Sequence, residues 1–343
     1  MRILIIRYSS IGDILLTTPL IRTIRKKYPY AEIHFLTKLG MKEVLSANPN
    51  IDVFQYYEND LQKVVLELVP LRFDLVFDLH KNFRSRYVTA LLKQSFNSQV
   101  QLIRFSKINI RKWLAVQLKY RRALPDKSIV DRYFEGVQAL EIRNDGEGLD
   151  CYIPSDCEIQ KDDLPLGHVM GFIACGIGGQ HETKKMPVEK WRELISQLPL
   201  PVVLLGGPED SPMAEKLTEI DPVKIYNACG KFRLMESADI VRRSRLVITH
   251  DTGVMHMAAA FKKPIISIWG NTIPAFGMFP YYGQNNIHQH PSPLSIMHEV
   301  KKLSCRPCSK IGFKSCPKKH FRCMQDQNID LIVRDVNALL RKK

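Results

Sequence analysis

The chain opens on RILIIR, an apolar run with charged ends, and passes directly into the helical pattern ILLTTPLIRTIRKKYP. The same alternation recurs in AEIHFLT, a helical pattern near residues 40–47, DVFQYY, another helical pattern and FDLVFDL. Short unbroken apolar runs suit parallel strands buried on both faces, and the helices between them supply the crossovers. The first half is therefore predicted to be a doubly wound parallel sheet. Residues 129–142, IVDRYFEGVQALEI, predict an amphipathic helix that closes it. Pro19 breaks a helix interior, so either a short turn at Asp13 ends before it or the helix kinks there.

Between Asp145 and Leu166 the chain becomes rich in Gly, Pro and acids and loses periodicity, which predicts an inter-domain linker. The alternation then restarts with HVMGFIACG, PVVLLGG, VKIY, RLVITH and PIISIWG, each separated from the next by a helical pattern. The fold class is thus α/β, with two Rossmann-like doubly wound domains expected at 1–155 and 165–325. The tail 326–343 reads as a helix, a candidate to pack back on the first domain. Its apolar residues recur at helical spacing and its basic residues sit at the C-terminal end, where the helix dipole favours them.

A length of 343 residues and an apolar fraction of 45% agree with two packed cores. The first apolar run is too short for a signal peptide, no small-residue cleavage site follows it, and no run approaches the 18 or so apolar residues of a membrane span. These features give the expectation of a cytoplasmic protein with its eight cysteines reduced. The net charge of +15 is concentrated. Leu79–Pro125 holds eleven cations and no acid, and Val300–Gln325 holds eight and no acid. Such fields attract phosphorylated substrates, anionic lipid or nucleic acid, or simply form solvated faces.

There is no G-x-G-x-x-G after the first strand, no GK[ST] and no D-x-D. Phosphate chemistry here would fall to backbone amides, helix N-termini and cations. The segment RYSSIGDILLTTP places Ser9, Ser10, Gly12 and Asp13 at the C-terminal end of a buried strand, where open α/β sheets bind ligands. Asp13 is either a base facing substrate or the cap of the next helix. RLVITHDTGVMHMAAAF sets Asp251, Thr252 and Gly253 before a helix that carries His256. Asp251 reads as an N-cap or a partner for sugar hydroxyls, and His256 as a site residue or a buried histidine. GIGGQHETKKMP offers glycines for close backbone approach and Lys184 to offset a departing diphosphate. LLGGPED repeats the strand-then-glycine arrangement with Glu209, suited to ribose hydroxyls or an exocyclic amine. Three such loops at consecutive strand ends of one domain give the expectation of a nucleotide-diphosphate site.

RILIIRYSSIGDILLTTPLIRTIRKKYP resembles the opening of bacterial heptosyltransferases of glycosyltransferase family 9, HDTGVMHMAAAFKKPIISIWGNTIPAFGMFPYYG resembles their second signature, and KKMPVEKWREL the segment between. The resemblance spans nearly the full length. It implies a GT-B fold and an inverting, metal-independent transfer of heptose from ADP-heptose to a phosphorylated lipid A-core acceptor of lipopolysaccharide. No cofactor is implied. By resemblance Asp13 is the base, Ser9, Ser10 and Gly12 are its loop, and Lys184, Glu209, Asp251, Thr252, Gly253 and His256 bind the donor. Two departures stand out: Gly178-Gly179-Gln180 where a threonine pair often precedes the lysine, and Gly270-Asn271-Thr272 where G-P-T is common.

Cys305, Cys308, Cys316 and Cys323, with His320 between, have spacing that would suit a weak zinc candidate. The resembling family carries similar patterns in this loop without implying a metal, so the leading expectation is an unmetallated loop. The expected partners are the nucleotide sugar, the phosphorylated acceptor and the anionic inner face of the cytoplasmic membrane, where IRKWLAVQLKYRR (110–122) would lie as a peripheral segment. A different nucleotide sugar with a surface-glycan acceptor is the alternative within the fold. A zinc-containing nucleic-acid-binding protein is the rival outside it, and nucleic acid is not expected as a partner, because the basic stretches lack interleaved stacking aromatics.

Overall fold

A computed structural model describes residues 1–95, 99–283 and 294–341. Packing divides the chain into two units, Met1–Lys107 with Lys127–Tyr152, and Ile108–Asp126 with Ile153–Lys343.

The first unit runs β1 (Arg2–Ile6), α1 (Ile11–Leu15), α2 (Thr18–Lys27), β2 (Glu32–Lys38), β3 (Val53–Tyr57), α3 (Leu61–Leu68), β4 (Leu75–Asp78), α4 (Phe83–Ser95) and β5 (Gln101–Arg104). Its sheet has the order β3-β2-β1-β4-β5 and is parallel throughout. Ile3, Leu4, Ile5 and Ile6 are all fully buried, which is why β1 reads as an unbroken apolar run. Leu4, Ile6 and Val76 pack on one face against Val64 and Leu68 of α3 and Val88 and Leu92 of α4. Pro19 falls at the second position of α2, where its missing amide costs nothing, so the turn before it ends as one of the two alternatives required.

α5 (Asn109–Gln117) lies within the first half of the sequence but packs in the second unit. The chain then returns to the first unit with α6 (Ile129–Glu135), which stops at Gly136; the helix expected over 129–142 is thus one short helix and a separate 3-10 turn at Gln138–Leu140. The acidic stretch expected as a linker is half structural. Arg22 of α2, itself buried, forms a bidentate pair with Asp145 and a second ion pair with Asp150, which fixes residues 145–150 to the first unit. From Ile153 onward the chain belongs to the second unit, where the Ile159 amide donates to Asp239 at 2.9 Å.

The second unit continues through β6 (Ile173–Gly176), α7 (Val188–Ile195), β7 (Val202–Leu205), α8 (Ser211–Thr218), β8 (Ile225–Asn227), α9 (Leu234–Arg243), β9 (Leu246–His250), α10 (Gly253–Ala260), β10 (Ile265–Trp269), β11 (Ser295–Glu299), α11 (Arg322–Gln325) and α12 (Ile329–Arg341). The parallel sheet order is β11-β10-β9-β6-β7-β8, so the strand order reverses between β6 and β9. Open α/β sheets bind ligands outside the carboxyl ends of strands at such a point. The tail helix α12 packs within the second unit: Ile329, Ile332, Val336 and Leu339, one stripe at helical spacing, are buried in the same core as Trp191, Leu194 and Ile248.

Candidate functional site

In the first unit, the loop after β1 turns into α1 at Ser10. Asp13, the third residue of that helix, reaches back to the Ser10 amide (3.3 Å) and hydroxyl (2.9 Å). Its other oxygen lies 2.5 Å from the Arg7 guanidinium. Asp13 thus serves as the cap of α1 while a quarter of its side-chain surface stays open. Ser9 contributes its carbonyl, which accepts from Arg7 Nε at 3.0 Å, and Gly12 is buried in α1. Arg7 also donates to Leu79 O (2.6 Å) and Tyr133 Oη (3.3 Å). Burial opposes its charge, but Asp13, and then Tyr133 and Asp78, more than compensate, so it stays a guanidinium.

Beside this pair, the His80 ring meets Tyr8 edge-on at 5.1 Å. Burial, then the charges of Arg7 and Lys107, push its pKa down to about 3, so it is neutral near pH 7. Lys107 is itself pushed down, by burial and then by Arg7. Fully buried Asp78 accepts from the His80 and Lys81 amides at 3.2 and 2.7 Å and fixes the loop that carries them.

In the second unit, three loops follow β6, β7 and β9, which are neighbours in the sheet. Lys184 Nζ lies 2.7 Å from Asp251 Oδ2 and donates to the Asp251 carbonyl at 3.1 Å; Thr272 Oγ1 donates to the same carboxylate oxygen at 2.9 Å. Asp251 therefore orients a cation. Thr252 caps α10 by position, and its hydroxyl sits 3.2 Å from that of Thr249. Gly253 opens α10, and His256 is buried within it. His250, at the end of β9, accepts from the Met186 amide at 3.0 Å and thereby ties this strand to the lysine loop. Burial first, with help from Lys185, pushes His250 down to about 3, consistent with a neutral acceptor.

Glu209 sits apart from that network on the wall of a cavity of about 900 Å³ that Lys185, Met213, Cys316 and Phe321 also line. Between the two, Lys185 pairs with buried Asp210 at 2.9 Å, and Asp210 accepts from the Gly207 amide at 3.0 Å. A Cβ on Gly178 would fall 2.2 Å from Asp210 Oδ2, so glycine there is a packing requirement of this junction.

Of the zinc-candidate residues, Cys305 meets His320 at 3.8 Å, and among the described residues no group of three or more Cys, His, Asp or Glu side chains is placed to hold a metal. Burial first, and then the nearby thiols of Cys308, Cys316 and Cys305, push the Cys323 thiol up to about 12. Cations order the loop. Buried Arg306 donates to the carbonyls of Val300 (2.7 Å) and Thr272 (2.9 Å), while Lys119 and Arg121 donate to the carbonyls of Pro307 (2.8 Å) and Arg306 (2.6 Å).

The family model described as Glycosyltransferase family 9 (heptosyltransferase) matches residues 62–309. The chain belongs to glycosyltransferase family 9. Lipooligosaccharide heptosyltransferase 2 of Haemophilus influenzae is 25% identical over 320 residues, covering 80% of this chain and 85% of that protein. Among solved structures, a family 9 glycosyl transferase from Veillonella parvula aligns with a TM-score of 0.77 at 22% identity, over 100% of this chain and 98% of the other. E. coli ADP-heptose lps heptosyltransferase II aligns with a TM-score of 0.73 at 19% identity, over 99% and 98%. The fold is GT-B, two Rossmann-like parallel-sheet domains, and the chain is a glycosyltransferase.

Several polar residues packed beside the candidate residues of this family 9 chain have little local signature in the sequence. Arg7 ends an apolar run as a strand boundary does; besides Ser9 and Asp13 close by, its partners Leu79 and Tyr133 lie 72 and 126 residues away. His80 and Lys107 sat in a stretch read only for its charge. Asp210 was passed over for its neighbour Glu209, although its distance of three from Gly207 is the spacing of a cap and was visible.

Proposed function

We propose that this family 9 glycosyltransferase moves heptose from ADP-heptose to a phosphorylated lipid A-core acceptor of lipopolysaccharide, with inversion and without a metal. In this reading the first unit holds the acceptor and the second the nucleotide sugar, and the protein works in the cytoplasm at the anionic inner membrane face. The observation that carries it is the Lys184–Asp251–Thr272 constellation beside the N-terminus of α10, next to the strand-order reversal. An ammonium held by a carboxylate there would bind a diphosphate and offset the charge of its departure. The names of the relatives support the donor and acceptor classes.

Asp13 takes the proton of the acceptor hydroxyl, the freed oxygen forms the bond to the anomeric carbon, and the bond to ADP breaks with its electron pair going to the diphosphate. Ser10 and Arg7 hold the base during this step. Glu209 on its cavity wall would face the adenosine, and a volume of about 900 Å³ is that of a small-molecule site. Among the described residues no helix is long and apolar enough to cross a membrane, which is consistent with peripheral attachment.

A different nucleotide sugar is the alternative within the same fold. Asn271 is buried at the departure from G-P-T, and neither its amide nitrogen nor its amide oxygen has a hydrogen-bond partner in the protein, so a ligand contact there would relieve a costly buried group under either donor. Nucleotide release from ADP-, UDP- and GDP-sugars, with acceptor and EDTA present, decides between them. Release from ADP-heptose that needs acceptor, survives EDTA and is lost in Asp13→Ala is the expected result. Release from another sugar, or dependence on a metal, would overturn the donor or the mechanism.

A further inference from the structure

We infer that the outward face of α5, continued through Tyr120, is a docking face for an anionic phospholipid bilayer. The inference rests on the membrane-borne acceptor proposed above but concerns which surface of the chain meets lipid.

The helix is apolar on two opposite sides. Inward, Ala115 and Val116 pack on Ile273 and Phe276, and the Lys112 ammonium lies 5.1 Å over the Phe276 ring. At about 100° per residue, Ile110, Trp113 and Gln117 project from the other side, with Leu118 at its margin. Ile110 is 77% exposed, Trp113 49% and Leu118 63%, and Tyr120 just beyond is 55% exposed. Core packing accounts for the first side only. Four large apolar or aromatic side chains left in water within eleven residues mark an interaction surface.

The charges around it select the occupant. The exposed Arg111 and Arg122 flank the apolar side chains, and no acid occurs between Leu79 and Pro125. Lys119 and Arg121 point the other way and fasten the segment to the carbonyls of residues 305–307, so the face is held on a fixed base. Aliphatic side chains beside Trp and Tyr, ringed by arginine, match the boundary between headgroups and acyl chains of an anionic leaflet. A second copy of this chain would bring arginine against arginine, and a nucleic-acid backbone has no use for Ile110 and Leu118.

The chain supplies its own probe. Of its three tryptophans, Trp191 and Trp269 are fully buried, so a change in emission caused by surface contact reports Trp113. The full-length protein is mixed with vesicles of phosphatidylcholine alone or with phosphatidylglycerol, at low and high salt. The expected result is binding and a blue shift with the anionic vesicles only, weakened by salt, with the shift absent in Trp113→Phe. Ile110→Ser with Leu118→Ser, and separately Arg111→Glu with Arg122→Glu, should each reduce partitioning about tenfold or more with an unchanged melting temperature. Unshifted emission, undiminished binding by both double variants, or a face that instead drives dimerisation or oligonucleotide binding would overturn the assignment. Vesicle binding by a protein that shows no release from ADP-heptose would sink the donor reading and leave this face standing.

Discussion

Replacing Asp13 by Asn removes the proposed base while sparing most of its structural work. The amide oxygen can still accept from the Ser10 amide and hydroxyl, now at 3.3 and 2.9 Å from the carboxylate, so α1 keeps its cap. What is lost is the charge opposite Arg7 at 2.5 Å and the ability to take a proton. Removing one partner of a fully buried ion pair costs roughly 3–5 kcal/mol. Asp13 is a quarter exposed, and Arg7 keeps the carbonyls of Leu79 and Ser9, so about 1–2 kcal/mol is expected here. Loss of a positioned base costs about 10²–10⁴ in rate, or roughly 2.7–5.4 kcal/mol in the barrier. The two effects separate in the assay. Thermal melting should show a fall of a few degrees while ADP release at saturating substrate falls at least a hundredfold. Asp13→Asn with wild-type release would refute the base assignment. Melting lowered by tens of degrees would refute the claim that the cap survives.

Lys184→Met should weaken ADP binding about tenfold or more by calorimetry, since a charge-assisted bond is worth about 1.5–3 kcal/mol, and an unchanged affinity would remove Lys184 from the donor site. Gly178→Ala drives a Cβ into Asp210 and should destabilise by about 1–3 kcal/mol in urea unfolding, whereas Gly40→Ala, with no atom within 4 Å of the new Cβ, serves as the neutral control. His250 carries a pH dependence. Its folded pKa of about 3 lies below the ordinary 6.5, so the unfolded chain binds the extra proton between those values, and stability is present above pH 6.5 and lost as pH falls. The slope contributed is up to about 1.4 kcal/mol per pH unit, and His250→Gln should flatten the urea-derived stability between pH 7 and 5; an unaltered slope would contradict the assignment.

The sheets were legible because a strand buried on both faces needs a run such as ILII or VVLL, and the loops were legible because glycine and acid at the end of such a run have few other uses. Edge strands were not. Among the residues of β5 only Ile103 is buried, and β11, SIMHE, mixes polar and apolar residues without a clean period, so neither announced itself. The short α6 was over-read because the apolar spacing of 129–142 continues past Gly136, where the helix ends. The three loops of the second unit stood out as separate signals, but the pairings that unite them, Lys184 with Asp251 and Lys185 with Asp210, join residues 67 and 25 positions apart and have no local signature. The packing of α5 in the second unit has no local signature for the same reason. Its apolar inner side was visible, but nothing near it in sequence said that Ile273 and Phe276 would receive it.

That long-range packing of α5 has a consequence during synthesis. Residues 108–126 leave the ribosome with the first unit, yet the side chains that cover Ala115 and Val116 follow about 150 residues later. At about 5–20 residues per second the segment waits roughly 7–30 seconds with both its apolar sides in water. Its arginines and lysines, and the absence of any acid from Leu79 to Pro125, give that nascent stretch a uniform positive charge that repels copies of itself while it waits. The same ordering means that a fragment ending at Tyr152 carries a helix without its seat, and one beginning at Ile153 a seat without its helix.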